Sequence, residues 1–80
     1  MRIKNGTVFA KEGSRPQEVF FLLKGCVFCE KQKKYYLEGT IFGEVEVVLM
    51  KNRSESYIAK GDCYILKLDR GIFEQIMDEF

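Results

Sequence analysis

The segment that decides the fold is FGEVEVVLMKNRS, residues 42–54. It opens on an aromatic residue and a glycine, and Arg53 follows Glu44 after nine residues. Intrinsic propensity favours a strand over Glu44–Met50, because this stretch contains three valines and a leucine. The local pattern alone therefore predicts a strand here. Whether this prediction holds depends on the fold that the flanking sequence indicates.

Glycines divide most of the chain into short apolar or alternating segments, as in an all-β roll or barrel. Phe20 and Leu22 are expected to share one face of a strand, since side chains alternate along it. The pattern predicts six strands, near Thr7–Lys11, Glu18–Lys24, Cys26–Glu30, Lys34–Leu37, Ser54–Ala59 and Cys63–Leu68.

The periodicity changes at Asp69, a residue type suited to cap a helix N-terminus. Apolar residues then recur at helical spacing, which predicts an amphipathic helix that includes Ile72, Phe73, Ile76, Met77 and Phe80. A roll of strands closed by one helix follows from pattern alone.

Composition limits the possible functions. Eighty residues, 46% of them hydrophobic, make one small packed domain. The net charge of +1 argues against bulk electrostatic binding to nucleic acid or anionic membranes. The basic cluster Lys31–Lys34 is best explained as a solvated hairpin tip, although basic residues beside tyrosines can also contact RNA. The longest apolar run, Val19–Leu23, is far too short to insert into a membrane. No signal-peptide pattern is seen, so a cytoplasmic location is expected.

Metal binding and catalysis are not expected. Cys26 and Cys29 have the spacing of a metal knuckle, but Cys63 is the only other cysteine and the chain has no histidine. On a strand the first two would also face opposite sides, so reduced, buried cysteines are the better interpretation. The lack of histidine also argues against serine or cysteine triads and against a cupin-type metal enzyme.

The segment at residues 42–54, with its flanking strands, resembles the cyclic nucleotide-binding domain family. That family includes regulatory subunits of cAMP-dependent protein kinase, cyclic nucleotide-gated channels and the bacterial catabolite activator protein. Its phosphate-binding cassette begins Phe-Gly-Glu and carries an arginine nine residues after the glutamate, as Glu44 and Arg53 are spaced here. The resemblance implies a mainly β fold: an antiparallel β-roll, jelly-roll-like, with a short cassette helix and a C-terminal helix.

The resemblance also implies a ligand, cAMP or cGMP, with no further cofactor. Arg53 would hold the phosphate through charge-assisted hydrogen bonds worth roughly 1.5–3 kcal/mol. Glu44 would accept a hydrogen bond from the ribose 2′-hydroxyl, and Ser54 would contact phosphate or base. Backbone amides of the cassette helix would complete the set of cyclic nucleotide-binding residues: Phe42, Gly43, Glu44, Val45, Glu46, Arg53 and Ser54.

Three features depart from the family. Glu46 stands where small or apolar residues are usual, and a carboxylate about 5 Å from the phosphate costs roughly 3 kcal/mol at an effective dielectric of about 20. Glu55 adds a second negative charge beside the cassette. Residues 1–80 would form a truncated domain, without the family's N-terminal helices or its C-terminal lid helix.

Two functions remain open at this stage. The first is a sensor that reports cyclic nucleotide to the rest of a parent protein: a channel, favoured by the C-terminal helix, a kinase or a transcription regulator. The second is a structural or interaction domain of the same fold, with an empty pocket in which Glu44 pairs with Arg53. Neither involves contact with nucleic acid, and the sequence leaves the choice between cAMP and cGMP open.

Overall fold

A computed structural model describes residues 1–79 of the chain. Two long strands dominate it, and short strands pair along them. The elements, in chain order, are β1 (Arg2–Ile3), β2 (Val8–Ala10), β3 (Glu18–Cys29), β4 (Lys34–Tyr36), β5 (Ile41–Phe42), α1 (Glu44–Leu49), β6 (Tyr57–Asp69) and α2 (Arg70–Glu79).

The sheet is antiparallel and is built around the pairing of β3 with β6. Their register runs from Cys29 opposite Tyr57 to Glu18 opposite Asp69. β1 and β2 pair with β6, while β4 and β5 pair with β3. The mainly β fold with a C-terminal helix is confirmed.

Several predicted strand boundaries need correction. Glu18–Lys24 and Cys26–Glu30 are one continuous strand, β3, and Cys63–Leu68 joins the second half of Ser54–Ala59 in β6. The glycines there kink the strands rather than end them. A Cβ on Gly25, where φ is 102°, would lie 2.8 Å from the backbone oxygen of Asp62, so only glycine allows this approach.

The interval Glu44–Leu49 is a helix, α1, as the resemblance implied and against its strand propensity. The residue before it, Gly43, is left-handed at φ 78°, and Met50 ends it at φ 57°. Its apolar side packs on the sheet through Val47, whereas Val45 and Val48 are exposed. Tertiary packing of one buried valine therefore outweighs a weak local preference.

The predicted N-cap of α2 is confirmed. The Asp69 side chain accepts a hydrogen bond from the Ile72 backbone amide at 2.8 Å. Phe73 is the residue of this helix that is buried. Phe80, included in the helical pattern, lies outside the described residues.

Two hydrophobic clusters hold these elements together. The larger fills the roll between the strands and contains Phe20, Leu22, Phe42 and Ile65. The smaller contains Val19, Val47 and Phe73, and fixes both helices to the outer face of β3. Of the cysteines, Cys29 and Cys63 are buried and Cys26 is half-buried. Within residues 1–79, neither helix has the length and apolar character needed to cross a membrane.

Candidate functional site

A cavity of about 150 Å³ lies where α1, the hairpin between β3 and β4, and the start of β6 meet. Five of the seven predicted site residues line it. Its full lining is Gln32, Tyr36, Gly43, Glu44, Val45, Glu46, Ser54, Glu55 and Tyr57. The structure therefore brings the two ends of the cassette together across one small space.

A shallower groove of about 530 Å³ adjoins this cavity. The two share Gln32, Tyr36, Glu44 and Val45, so they are continuous. The groove extends along the β3–β4 hairpin towards Tyr35 and Leu37.

Arg53 and Phe42, the remaining two predicted residues, are buried and do not line the cavity, although Phe42 lines the adjoining groove. Phe42 is a core residue, stacked on Tyr36 with ring centroids 4.9 Å apart. Arg53 is 4% exposed, and its guanidinium donates hydrogen bonds to the carbonyl oxygens of Gly43 at 2.7 Å and Glu18 at 2.6 Å.

The Arg53 side chain is also stacked over aromatic rings. Its guanidinium carbon lies 5.2 Å from the centroid of Phe20 and 5.7 Å from that of Tyr57, which adds cation–π attraction. Its hydrogen bonds go to backbone carbonyls, so the predicted pairing of Glu44 with Arg53 is not what satisfies the guanidinium here.

Gly43 separates Arg53 from the cavity, and its lack of a side chain is essential to that arrangement. A Cβ at this position would lie 2.7 Å from Nη1 of Arg53 and 3.2 Å from the Phe20 ring. The positive φ of 78° is a second reason for glycine. The cassette loop can therefore lie directly on the guanidinium.

The cavity side of Gly43 is acidic. Glu46 is 8% exposed and Glu55 only 2%, and both line the cavity beside the half-buried Glu44. The Glu46 carboxylate accepts a long hydrogen bond of 3.4 Å from the Ser54 hydroxyl. None of the nine lining residues is a lysine or an arginine. The sequence departures at Glu46 and Glu55 thus both reach the candidate site itself.

The surrounding hydroxyl and thiol groups are held in their neutral forms. Burial, followed by the hydrogen bond and negative charge of Glu55, raises the pKa of the Cys29 thiol to about 12. Burial and then the charge of Glu46 raise the pKa of Tyr57 above its usual value. Burial is also the main cause of the raised pKa of Tyr36. Tyr36 and Tyr57 are therefore neutral hydrogen-bonding groups on the cavity wall.

No sequence motif marked Gln32, Tyr36 and Tyr57 as lining residues. They lie outside the cassette motif, and β3–β4 and β3–β6 pairing brings them to it. Glu55 carried one signal, since it is two residues from Arg53. Residues 1–79 contain no group of three or more histidine, cysteine, aspartate or glutamate side chains arranged to hold a metal ion.

Comparison with known proteins identifies the family. The family model described as "Cyclic nucleotide-binding domain" matches residues 1–80. The chain belongs to this family. Domains of this family are regulatory rather than catalytic.

Solved structures of this family superpose closely on the chain. PKAR CBD2 bound to Sp-2Cl-cAMPS is 27% identical with a TM-score of 0.91, and the match covers 99% of this chain and 56% of that one. cAMP-bound PfPKA-R has the same identity and TM-score, with 99% of this chain and 29% of that one covered. The cAMP-bound EAL enzyme Bd1971 is 25% identical with a TM-score of 0.83, over 96% of this chain and 23% of that one. The chain thus spans about half or less of each.

Proposed function

We propose that this chain binds a cyclic nucleotide, cAMP or cGMP, in the cavity beside α1 and acts as the regulatory module of a longer protein. The observation that carries the proposal is the convergence of Gly43, Glu44 and Ser54 on one cavity in a member of this family. The 27%-identical relatives that hold cAMP or its analogue support it.

In this proposal the cyclic phosphate lies against the backbone of Gly43 and Val45, and the 2′-hydroxyl donates to Glu44. The base extends into the adjoining groove, because the cavity alone is small. Arg53 would also donate a hydrogen bond to the phosphate from its position next to Gly43. A guanidinium has five N–H donors and two hydrogen bonds are formed here, so it retains donors that a phosphate can recruit by a side-chain rotation.

The relatives also support a proposal for the module's role. In PfPKA-R and Bd1971 the matched segment is less than a third of the chain, and the second of these is named as an enzyme. We propose a cytoplasmic sensor whose ligand biases the attached part of the parent protein, without chemistry in the cavity itself. A kinase, an enzyme, a channel or a transcription regulator could be the attached part.

A calorimetric titration of the chain with cAMP and with cGMP tests the binding. Saturable binding is expected, and Glu44→Gln should weaken it by about tenfold to a hundredfold through loss of a charge-assisted hydrogen bond. Arg2→Ala is the matched control, because this exposed residue pairs with Asp62 away from the cavity and should leave affinity unchanged.

The acidic lining favours the second function, a structural domain of the same fold with an unused pocket. Absence of binding to either nucleotide at millimolar concentration, in a protein whose circular dichroism shows a folded β domain, would favour that alternative and contradict ligand sensing. Circular dichroism is needed for each variant as well, so that loss of binding is not confused with loss of the fold.

A further inference from the structure

The cavity wall contains two carboxylates that are more than nine-tenths buried. Glu46 comes from the middle of α1 and Glu55 from the segment that leads into β6, so the fold brings them together from separate elements. Glu44 adds a third, half-buried carboxylate. Charged groups are rarely this buried without an opposite charge beside them.

The groups facing these carboxylates from the other elements do not neutralise them. β3 contributes the Cys29 thiol, which burial and then Glu55 keep protonated, and β4 contributes the Tyr36 phenol. β6 contributes the Tyr57 phenol. Two cations lie nearby. Lys34 has its amino group 5.1 Å from the Tyr36 ring centroid, and Arg53 lies behind Gly43 and donates to backbone carbonyls.

A cyclic nucleotide carries one negative charge on its phosphate. Bound against Gly43, it would place that charge beside buried carboxylates in a medium that screens poorly. A carboxylate that meets a second negative charge in such a place favours its protonated form. The ligand and the ionised carboxylates therefore compete for the same space.

We infer that Glu46 and Glu55 make nucleotide recognition proton-coupled, so that the cyclic nucleotide enters the cavity together with at least one proton taken up by this pair. The inference rests on the proposed function of the same site. The proton comes from the buffer acid, one carboxylate becomes a carboxylic acid, and the phosphate remains an anion. The complex then carries the same net charge as the free protein.

Two consequences follow. Affinity rises as pH falls, because protonation of the pair prepares the site for the anion; each proton taken up changes the dissociation constant by up to about tenfold per pH unit. The new carboxylic acid also supplies a hydrogen-bond donor in a cavity without a lining lysine or arginine. The two glutamates thus make the affinity of the site for its ligand depend on pH.

The chain is well suited to a direct test. It has no histidine, so no imidazole can take up or release a proton between about pH 5 and pH 8. The α-amino group of Met1 donates to the carbonyl oxygen of Ile65, and neither residue lines the cavity. Proton uptake that accompanies nucleotide binding can then be assigned to the carboxylates.

The experiment is calorimetry of the chain with cAMP at pH 6.5, in MES and in imidazole, which have different ionisation enthalpies. The apparent enthalpy should differ between the buffers by an amount equal to about one proton taken up. The dissociation constant, measured from pH 5.5 to pH 8, should increase with pH. Glu46→Gln should reduce the proton uptake and tighten binding at pH 8 by about tenfold, whereas the exposed-site control Glu30→Gln should change neither.

Equal enthalpies in both buffers and a pH-independent dissociation constant in the unmodified chain would overturn the inference while leaving the proposed function intact. Absence of cAMP and cGMP binding across the whole pH range would overturn both. The buffer comparison requires no substitution, so it stands even where Glu55→Gln does not fold.

Discussion

The buried charges on the two sides of Gly43 differ in how well their surroundings stabilise them. On the core side, the Arg53 guanidinium has two short hydrogen bonds to carbonyl oxygens and two aromatic faces beside it. On the cavity side, Glu46 has one long hydrogen bond to Ser54, and Glu55 lies beside a neutral thiol. The buried cation is thus stabilised by contacts within the fold, whereas the two buried anions form no ion pair within residues 1–79.

Two buried charged residues that lie close together in sequence can have different structural roles. Arg53 and Glu55 are two positions apart in sequence and both are buried, but Arg53 donates to two distant backbone carbonyls whereas Glu55 contacts the neutral Cys29 thiol. The backbone of Arg53 is also fixed, since its amide donates to Ser14 at 2.8 Å and its oxygen accepts from Gly13 at 2.7 Å. Removing charge should therefore have opposite effects on the two sides.

The largest effect is expected for Arg53→Ala. The substitution leaves the carbonyl oxygens of Gly43 and Glu18 without their donors and opens a gap beside Phe20, so the free energy of unfolding should fall by about 3 kcal/mol. Urea denaturation followed by circular dichroism measures it. A loss below about 1 kcal/mol would mean that the guanidinium is not a structural connection.

Gly43→Ala should come next, with a loss of about 2 kcal/mol. The new methyl group would meet Nη1 of Arg53 at 2.7 Å, and a non-glycine residue at φ 78° adds backbone strain. Gly39→Ala is the matched control, because its φ is similarly positive at 86° but nothing lies within 4 Å of its added Cβ. Equal losses in the two variants would attribute the whole effect to the backbone and none to Arg53.

Glu55→Gln should act in the other direction. It removes a buried charge that lacks an opposite charge, and the amide oxygen can still accept from the Cys29 thiol, so stability at pH 7 should rise by about 1 kcal/mol. Glu30→Gln, at an exposed position, should have almost no effect. Destabilisation of Glu55→Gln would show that the carboxylate is already compensated, and the contrast between the two sides would disappear.

The smallest effect concerns alkaline pH. The pKa of Cys29 is about 12 in the folded chain against 9.0 ordinarily, so folding favours the thiol. This contribution is complete below pH 9 and is lost as the pH rises towards 12, so stability should fall by about 1 kcal/mol between pH 8 and pH 9.5. Denaturation at both pH values measures it. Cys29→Ala should show a smaller decrease, and an unchanged decrease would assign the effect to other groups.

The cassette motif was sufficient to predict that Gly43, Glu44 and Ser54 lie together at one cavity, because its ends lie close in sequence. Spacing located Gly43, Glu44 and Arg53, and the family resemblance implied the short helix that valine propensity argued against. That helix depends on Val47 reaching Val19 and Phe73, a contact that spans elements and leaves no local signal.

The sequence could not reveal on which side of Gly43 the arginine lies. A guanidinium near a predicted phosphate site is expected to face the ligand, and the competing carbonyl of Glu18 is 35 residues away in sequence. The long strands were missed for a related reason. Gly25 and Gly61 resemble turn glycines in sequence, but each lies within a continuous strand.

The β3–β6 ladder also has a kinetic consequence. Pairing Cys29 with Tyr57 closes the shortest loop in this ladder, and Glu18 with Asp69 closes the longest. Shorter loops close at a lower entropic cost, so pairing should begin at Cys29 and Tyr57 and proceed towards Glu18 and Asp69. The cassette lies inside the first loop to form. A higher φ-value for Val27→Ala than for Val19→Ala would support this order. The candidate cavity would then be among the earliest parts of the chain to form, before α2 docks at the far end of the ladder.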